Sequence, residues 1–381
     1  MLRVLLVTEA ASAGVGRHFL DLAGGLKQAG CDVVGVYSSA RSDAQFRNRL
    51  TSEDLPPMIS LNMRRAVRLS DAWTTLKLIR LARKHGPFDI IHGHSSKGGA
   101  YARLAARWLG IPSVYTPNAF VTMDPTLRPL KRRIYAQIER LLARKSQAII
   151  AVSHEEAEHA KSLGIARHKI HVVANAIAPP QLPTREEARR TLGIQPEWTV
   201  IGFVGRLSSQ KAPEVLLRAF AAALPMHPEV RLAMIGDGPL EAESRQLAAT
   251  LGIDQRVLWL GNQPGQAAMP AFDLYCLSSR YEGLPYVLLE GIAAGLPIVA
   301  TNVSGVSMVV KAGENGIVVP IDQPTELAQG LTRLLSDQPL RTSMGASSLA
   351  RSHSLTLSGM VEQTIAVYHQ AIAATGTASK S

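Results

Sequence analysis

Residues 280 to 301 read RYEGLPYVLLEGIAAGLPIVAT and set two acids, Glu282 and Glu290, eight positions apart around a Gly-Leu-Pro turn in an otherwise apolar segment. The stretch SSRYEG ends a strand-like run, Gly283 permits close backbone approach, and Pro285 suits the first position of a helix, where its missing N–H costs nothing. The N–H groups of Gly283, Leu284, Tyr286 and Val287 are then expected to be open to an anion. With two phosphates at that helix start, Glu290 lies one to two turns in, where ribose hydroxyls donate, and Glu282 lies on the sugar side. A purely solvated Glu290 fits poorly with its neighbours VLL and GIAAGLP, because a buried carboxylate without a partner is costly.

Working outward, short β-like runs alternate with longer helix-like ones: RVLLVTE, CDVVGVYS, PPMISLNM, DIIHGHS, SVYTPN and QAIIAVSH, then, past the prolines at 179, 180 and 183, TVIGFVG, VRLAMIGDG, RVLWLG, DLYCLSS and LPIVAT. Such alternation predicts two α/β, Rossmann-like domains with parallel sheets. We place the first at 1–178 and the second at 185–352, with a last helix near 357–374 crossing back to the first. Ligands of such sheets sit beyond the carboxyl ends of the strands. There GRLSSQKAP brings Gly205, Arg206 and Lys211 to the start of a helix near Pro213, a pattern suited to a diphosphate. Lys97, with Gly98 and Gly99, makes a second anion-friendly loop.

The chain has 381 residues, 46% of them hydrophobic and 19% charged, which fits two soluble cores. Cys31 and Cys276 are too few for a disulfide framework or a cysteine-rich metal site. No apolar run reads as a signal peptide or a membrane span. The net charge of +11 is unevenly placed: residues 1–180 hold 26 Lys and Arg against 13 Asp and Glu, and residues 181–381 hold 15 against 17. Much of the excess lies in LRPLKRRIYAQIERLLARKSQ, residues 127–147, where Lys131, Arg132 and Arg133 share an amphipathic helix with Leu130, Ile134, Ile138, Leu141 and Leu142. The plain reading puts its apolar side on the core and its cations in water. A second basic stretch, MRRAVRL at 63–69, suggests that the cations of this domain meet an anionic surface.

GRLSSQKAP, IGDGPL and EGLPYVLLEGIAAGLPIVAT, in this order and spacing, resemble the C-terminal half of the retaining glycosyltransferases of family 4, which have the GT-B fold. GVGRHFLDLAGGLKQAG, HGHSSKGGAYARLAARWLGIPSVYT and AVSHEEAE resemble the N-terminal half, so the likeness covers nearly the whole chain. It implies two Rossmann-like domains facing across a cleft, a nucleotide-sugar donor, UDP- or GDP-linked, on the second, and a glycan acceptor on the first. Arg206 and Lys211 would hold the diphosphate, Glu282 the sugar and Glu290 the ribose, with Gly205, Gly236, Gly283, Leu284, Tyr286 and Val287 lining the donor site. Gly14, Gly16, His18, Lys97, Lys131, Arg132 and Arg133 fall on the acceptor side. Catalysis would rest on stabilising the leaving diphosphate, with Glu282, Arg206, Lys211 and Asn118 nearest the chemistry.

The resemblance implies no metal or other cofactor. Nor does the sequence offer an Asp-x-Asp pair, and His92 and His94, alternating in a strand, are expected on opposite faces. The chain departs from the family at Ala13 and Gly14, where two glycines are common, at Asn175 and Ala176, where asparagine-glycine is usual, and at Asn118 and Ala119, where many relatives carry histidine-glycine. For a relative of enzymes that build bacterial polysaccharides, the resemblance implies a cytoplasmic protein peripheral on the inner face of the membrane, with an acceptor on a polyprenyl diphosphate. A soluble acceptor is the alternative, and a sugar-nucleotide epimerase the nearest other class. Nucleic acid is a poor partner for a chain with 5% aromatics, and a dehydrogenase lacks the third glycine, Phe19 standing in its place.

Overall fold

The computed structural model describes residues 1–64 and 71–378, with side chains to residue 375. The chain divides into two compact units, Met1–Asn175 with Leu357–Ser381, and Ala176–Thr356. The basic stretch at 63–69 lies largely outside the described residues.

In the first unit β1 (Arg3–Thr8), β2 (Asp32–Tyr37), β3 (Met58–Ser60), β4 (Ile90–His94), β5 (Ser113–Thr116), β6 (Ala148–Ala151) and β7 (Ile170–Val172) form one sheet. Its order is β3-β2-β1-β4-β5-β6-β7 and every pairing is parallel. Runs such as VLLV are buried on both faces, which is why they read as unbroken apolar stretches. The helix Leu357–Ala378 belongs to this unit and packs on the helix Ala13–Gln28.

The second unit repeats the scheme with β8 (Val200–Val204), β9 (Arg231–Ile235), β10 (Val257–Trp259), β11 (Leu274–Leu277), β12 (Ile298–Thr301) and β13 (Gly316–Val319), in the order β10-β9-β8-β11-β12-β13. Ile201, Phe203, Leu217, Phe220, Leu232 and Met234 are among the residues of its core. In each sheet the strand order reverses beside the first strand, between β1 and β4 and between β8 and β11. That reversal opens a crevice at the carboxyl ends of the strands, so the topology alone directs attention to the loops after β8 and β11. The strand β13, absent from the runs picked out of the sequence, closes the edge beside β12.

Candidate active site

The loops after β8 and β11 are stitched together. The Lys211 ammonium donates to Glu282 Oε1 at 2.6 Å, and Ser279 Oγ donates to the same oxygen at 2.7 Å. Ser278 Oγ donates to the Lys211 carbonyl and the Gln210 side chain to the Tyr281 carbonyl. The stem of Lys211 lies over Gly205, where a Cβ would come within 3.3 Å of it. Gly236, at φ +128°, brings its backbone so near Gly205 that a Cβ would stand 2.0 Å from the Gly205 carbonyl oxygen, so only glycine fits. Arg206 is exposed beside this cluster and no ion-pair partner is found for it among the described residues.

Glu282 and Glu290 are 7% and 6% exposed, so neither is a solvated surface acid. They face different surroundings. Glu282 is bound by Lys211 and Ser279, whereas Glu290 Oε2 lies where a Cβ on Gly265 would be 3.2 Å away, beside the short helix Gly265–Ala268. The helix that carries Glu290 runs Tyr286–Ala293, so Pro285 stands just ahead of its first residue and not at it. The backbone of Gly283 is pinned from the other side, accepting from Ser304 Oγ at 3.2 Å. Leu284 and Tyr286 each have an interaction partner within the protein.

Arg280, at the start of the stretch 280–301, organises both loops. Its guanidinium reaches Asp322 at 2.8 and 3.0 Å, the Ser209 carbonyl at 2.8 Å and Glu214 at 2.6 Å, while its N–H donates to the Gln210 carbonyl. Burial pulls its pKa down, but bonding to Asp322 and Glu214 outweighs this and holds it above the ordinary arginine range.

In the first unit the loop after β5 carries Asn118 at φ 54° and Ala119 at φ 79°, two non-glycine residues in the left-handed region. Glu156 holds them there. Its carboxylate, fully buried, accepts from the N–H of Ala119 and of Val152, each at 2.7 Å. Burial raises its pKa to about 7, against the lowering effect of these N–H donors. Ala13, where the family favours glycine, is likewise left-handed at φ 48°.

Two family models match the chain in series: "Glycosyltransferase Family 4" over residues 12–179 and "Glycosyl transferases group 1" over 184–350. A D-inositol 3-phosphate glycosyltransferase of Stackebrandtia nassauensis is 30% identical over 76% of this chain and 70% of its own length. The chain belongs to the family 4, group 1 glycosyltransferases. A second D-inositol 3-phosphate glycosyltransferase, from Actinosynnema mirum, is 27% identical over 86% of this chain and 88% of its own. Among solved structures, Anabaena HepE in complex with UDP and glucose superposes with a TM-score of 0.83 at 20% identity, over 96% of this chain and 98% of that one. WaaG, a glycosyltransferase involved in lipopolysaccharide biosynthesis, gives a TM-score of 0.75 at 19% identity, over 96% and 98%. These likenesses establish the GT-B fold.

The residues expected on the acceptor side of this glycosyltransferase, and the two strand histidines, have varied surroundings. His18 is buried on the helix Ala13–Gln28, its ring 5.2 Å from that of His94. His92 and His94 do not face opposite ways: their ring centroids are 4.1 Å apart. Residues two apart in a strand share a face. His92 bonds Tyr368 Oη at 2.7 Å and Thr116 Oγ1 at 2.8 Å, and both nitrogens of His94 are buried without a partner. Lys97 is committed to Asp71 at 2.9 Å and to the Arg64 carbonyl, so the charge of its loop is already balanced. Arg132 turns inward onto the carbonyls of Asp124 and Pro125, leaving Lys131 and Arg133 as exposed cations. Gly14 is exposed; Gly16 is buried, with a Cβ there only 2.9 Å from the Ala11 backbone. Among the described residues no group of three or more His, Cys, Asp and Glu side chains is placed to hold a metal ion.

Proposed function

We propose that this glycosyltransferase moves a hexose from a nucleotide-sugar donor, UDP- or GDP-linked, to a glycan with retention at the anomeric carbon. The observation that carries the proposal is the buried Lys211–Glu282 pair beside the exposed Arg206 at the switch point of the second sheet. The donor's diphosphate would lie over Gly205 and Gly283 against Arg206 and Lys211, with Glu282 toward the sugar and Glu290 toward the ribose. As the bond from the anomeric carbon to the diphosphate breaks, the two cations take up the charge that grows on the leaving phosphate. The acceptor hydroxyl bonds to the same face of that carbon and its proton passes to the departing phosphate oxygen. No step calls for a metal or a further cofactor. HepE, which shares the fold, is described with UDP-glucose bound.

The acceptor side belongs to the first unit, around Asn118 and the loop at Gly14. We read the acceptor as a glycan on a polyprenyl diphosphate, made into cell-surface polysaccharide at the inner face of the cytoplasmic membrane, to which the protein binds peripherally. No described helix is long and apolar enough to cross a membrane. A second reading is favoured by the relatives named D-inositol 3-phosphate glycosyltransferase: a small phosphorylated polyol as acceptor. A donor panel decides the first point: release of nucleotide from one UDP- or GDP-sugar, abolished in Arg206→Ala, is expected, and no turnover of any donor would overturn the reading. Offering a polyprenyl diphosphate glycan and an inositol phosphate side by side separates the two acceptors.

A further inference from the structure

We infer that the helix Pro129–Ala143 docks this protein on an anionic bilayer by burying an outward apolar ridge at the boundary of headgroups and acyl chains. This rests on the membrane reading above and gives it a mode of binding. The helix is mounted the opposite way from one that covers a core. At about 100° per residue, Leu130, Ile134, Ile138 and Leu141 fall within about 80° of arc, and they are 70%, 50%, 43% and 55% exposed. Glu139 and Ala143 are buried on the opposite side. Glu139 meets the fully buried Arg103 at 3.0 Å and accepts from Tyr115 Oη at 3.3 Å. That pair fixes the rotation of the helix. Turning the ridge inward would pull Glu139 away and leave a buried guanidinium without its counter-charge.

The exposed Lys131 and Arg133 stand to either side of the ridge, and the helix carries no acid besides the buried Glu139. The ridge runs about 16 Å along the axis, long for aliphatic side chains left in water without an occupant. The neighbouring helix Ser96–Leu109 exposes Leu104 and Trp108, one turn apart. Charge decides the occupant. A second copy of the chain would press the same cations against themselves, whereas an anionic headgroup layer pairs with them while the ridge enters the apolar boundary beneath.

The test is flotation with phosphatidylcholine vesicles, with and without phosphatidylglycerol, for the wild type, for Leu130→Ser/Ile134→Ser/Leu141→Ser, and for Lys131→Gln/Arg133→Gln. The wild type is expected to float with the anionic vesicles, and the serine variant to partition at least about tenfold less with unchanged circular dichroism and unchanged donor hydrolysis. The glutamine variant is expected to lose the preference for anionic over neutral vesicles. Serine changes that leave flotation intact, or a wild type that binds no anionic vesicle at low salt, would overturn the inference. So would a wild-type dimer in light scattering that the serine changes convert to monomer, because the ridge would then belong to a second copy. Loss of donor turnover in the wild type would instead count against the proposed function and leave the flotation result standing.

Discussion

Replacing Lys211 by alanine separates two roles that the structure gives this side chain. Its ammonium is one of two donors to Glu282 Oε1, at 2.6 Å, and both side chains are mostly buried, at 15% and 9% exposure. In Lys211→Ala the carboxylate keeps Ser279 but loses its counter-charge. A charge-assisted bond in such a place is worth about 2–3 kcal/mol, and breaking a fully buried pair costs somewhat more. We therefore expect the variant to lose about 2–3 kcal/mol of stability, read from urea unfolding at pH 7.5 in the transition of the second unit. Turnover should fall further, by about 100- to 1,000-fold, because the cation also balances charge that appears on the leaving phosphate.

The double variant Lys211→Ala/Glu282→Gln distinguishes the two losses. A neutral amide needs no counter-ion, so the double variant should recover much of the lost stability. It should recover none of the turnover, because no cation has been restored. If turnover returned with stability, Lys211 would be a structural partner of Glu282 and the catalytic assignment would fail. If the single variant unfolded like the wild type, the buried pair itself would be refuted.

Glu290→Gln should weaken nucleotide binding about tenfold with little change in stability; unaltered titration of both UDP and GDP would show that the acid does not meet the nucleotide. Arg280→Lys cannot span Ser209, Glu214 and Asp322 together, and we expect a rise in donor KM of about tenfold while kcat at saturation changes little; a fall in kcat alone would count against a positioning role. Ala119→Gly removes a left-handed alanine and should stabilise the first unit by about 1 kcal/mol, seen as a higher urea midpoint; a lower midpoint would mean that the φ of 79° carries no strain. The pH dependence follows from His18, His92 and His94, whose pKa values burial lowers, His18 to about 4 and the other two well below the ordinary 6.5. The unfolded chain takes up protons below 6.5 that the folded chain refuses, so their stabilisation is present above 6.5 and is lost as the pH falls, by up to about 1.4 kcal/mol per pH unit for each histidine. Glu156, raised from 4.5 to about 7, acts in the opposite sense, stabilising as the pH falls through that window. His94→Asn should make stability between pH 6.5 and 5 fall less steeply than in the wild type, and an unchanged slope would refute the argument.

The two sheets could be read from the sequence because strands buried on both faces announce themselves as short apolar runs between helices. The strand β13, GIVV between Asn315 and Pro320, was not among those runs. The donor loops were found from helix starts, glycines and cations, all local signals. The pairing of Lys211 with Glu282, 71 positions apart, has no local signal, nor has the use of Arg280 as the tie between Glu214 and Asp322. Asn118 and Ala119 were visible as a departure from a family pattern, but nothing adjacent to them revealed that Glu156, 37 positions on, holds their loop.

The helix Pro129–Ala143 shows the limit most clearly. Its spacing gave an apolar stripe, and an apolar stripe says that one side differs from the other, not which side faces in. The direction is set by the side chain that is most costly to misplace. Glu139 is the one acid on a helix rich in cations, and it stands opposite the stripe. A water-facing glutamate there would leave Arg103, with no exposed surface, to carry a buried charge alone. Arg103 lies on the buried side of the helix Ser96–Leu109, amid Ala102, Ala105 and Ala106. An arginine among core alanines requires a buried acid from some neighbouring element. Once that requirement is met by Glu139, the leucines and isoleucines of the basic helix have only the outside left to them.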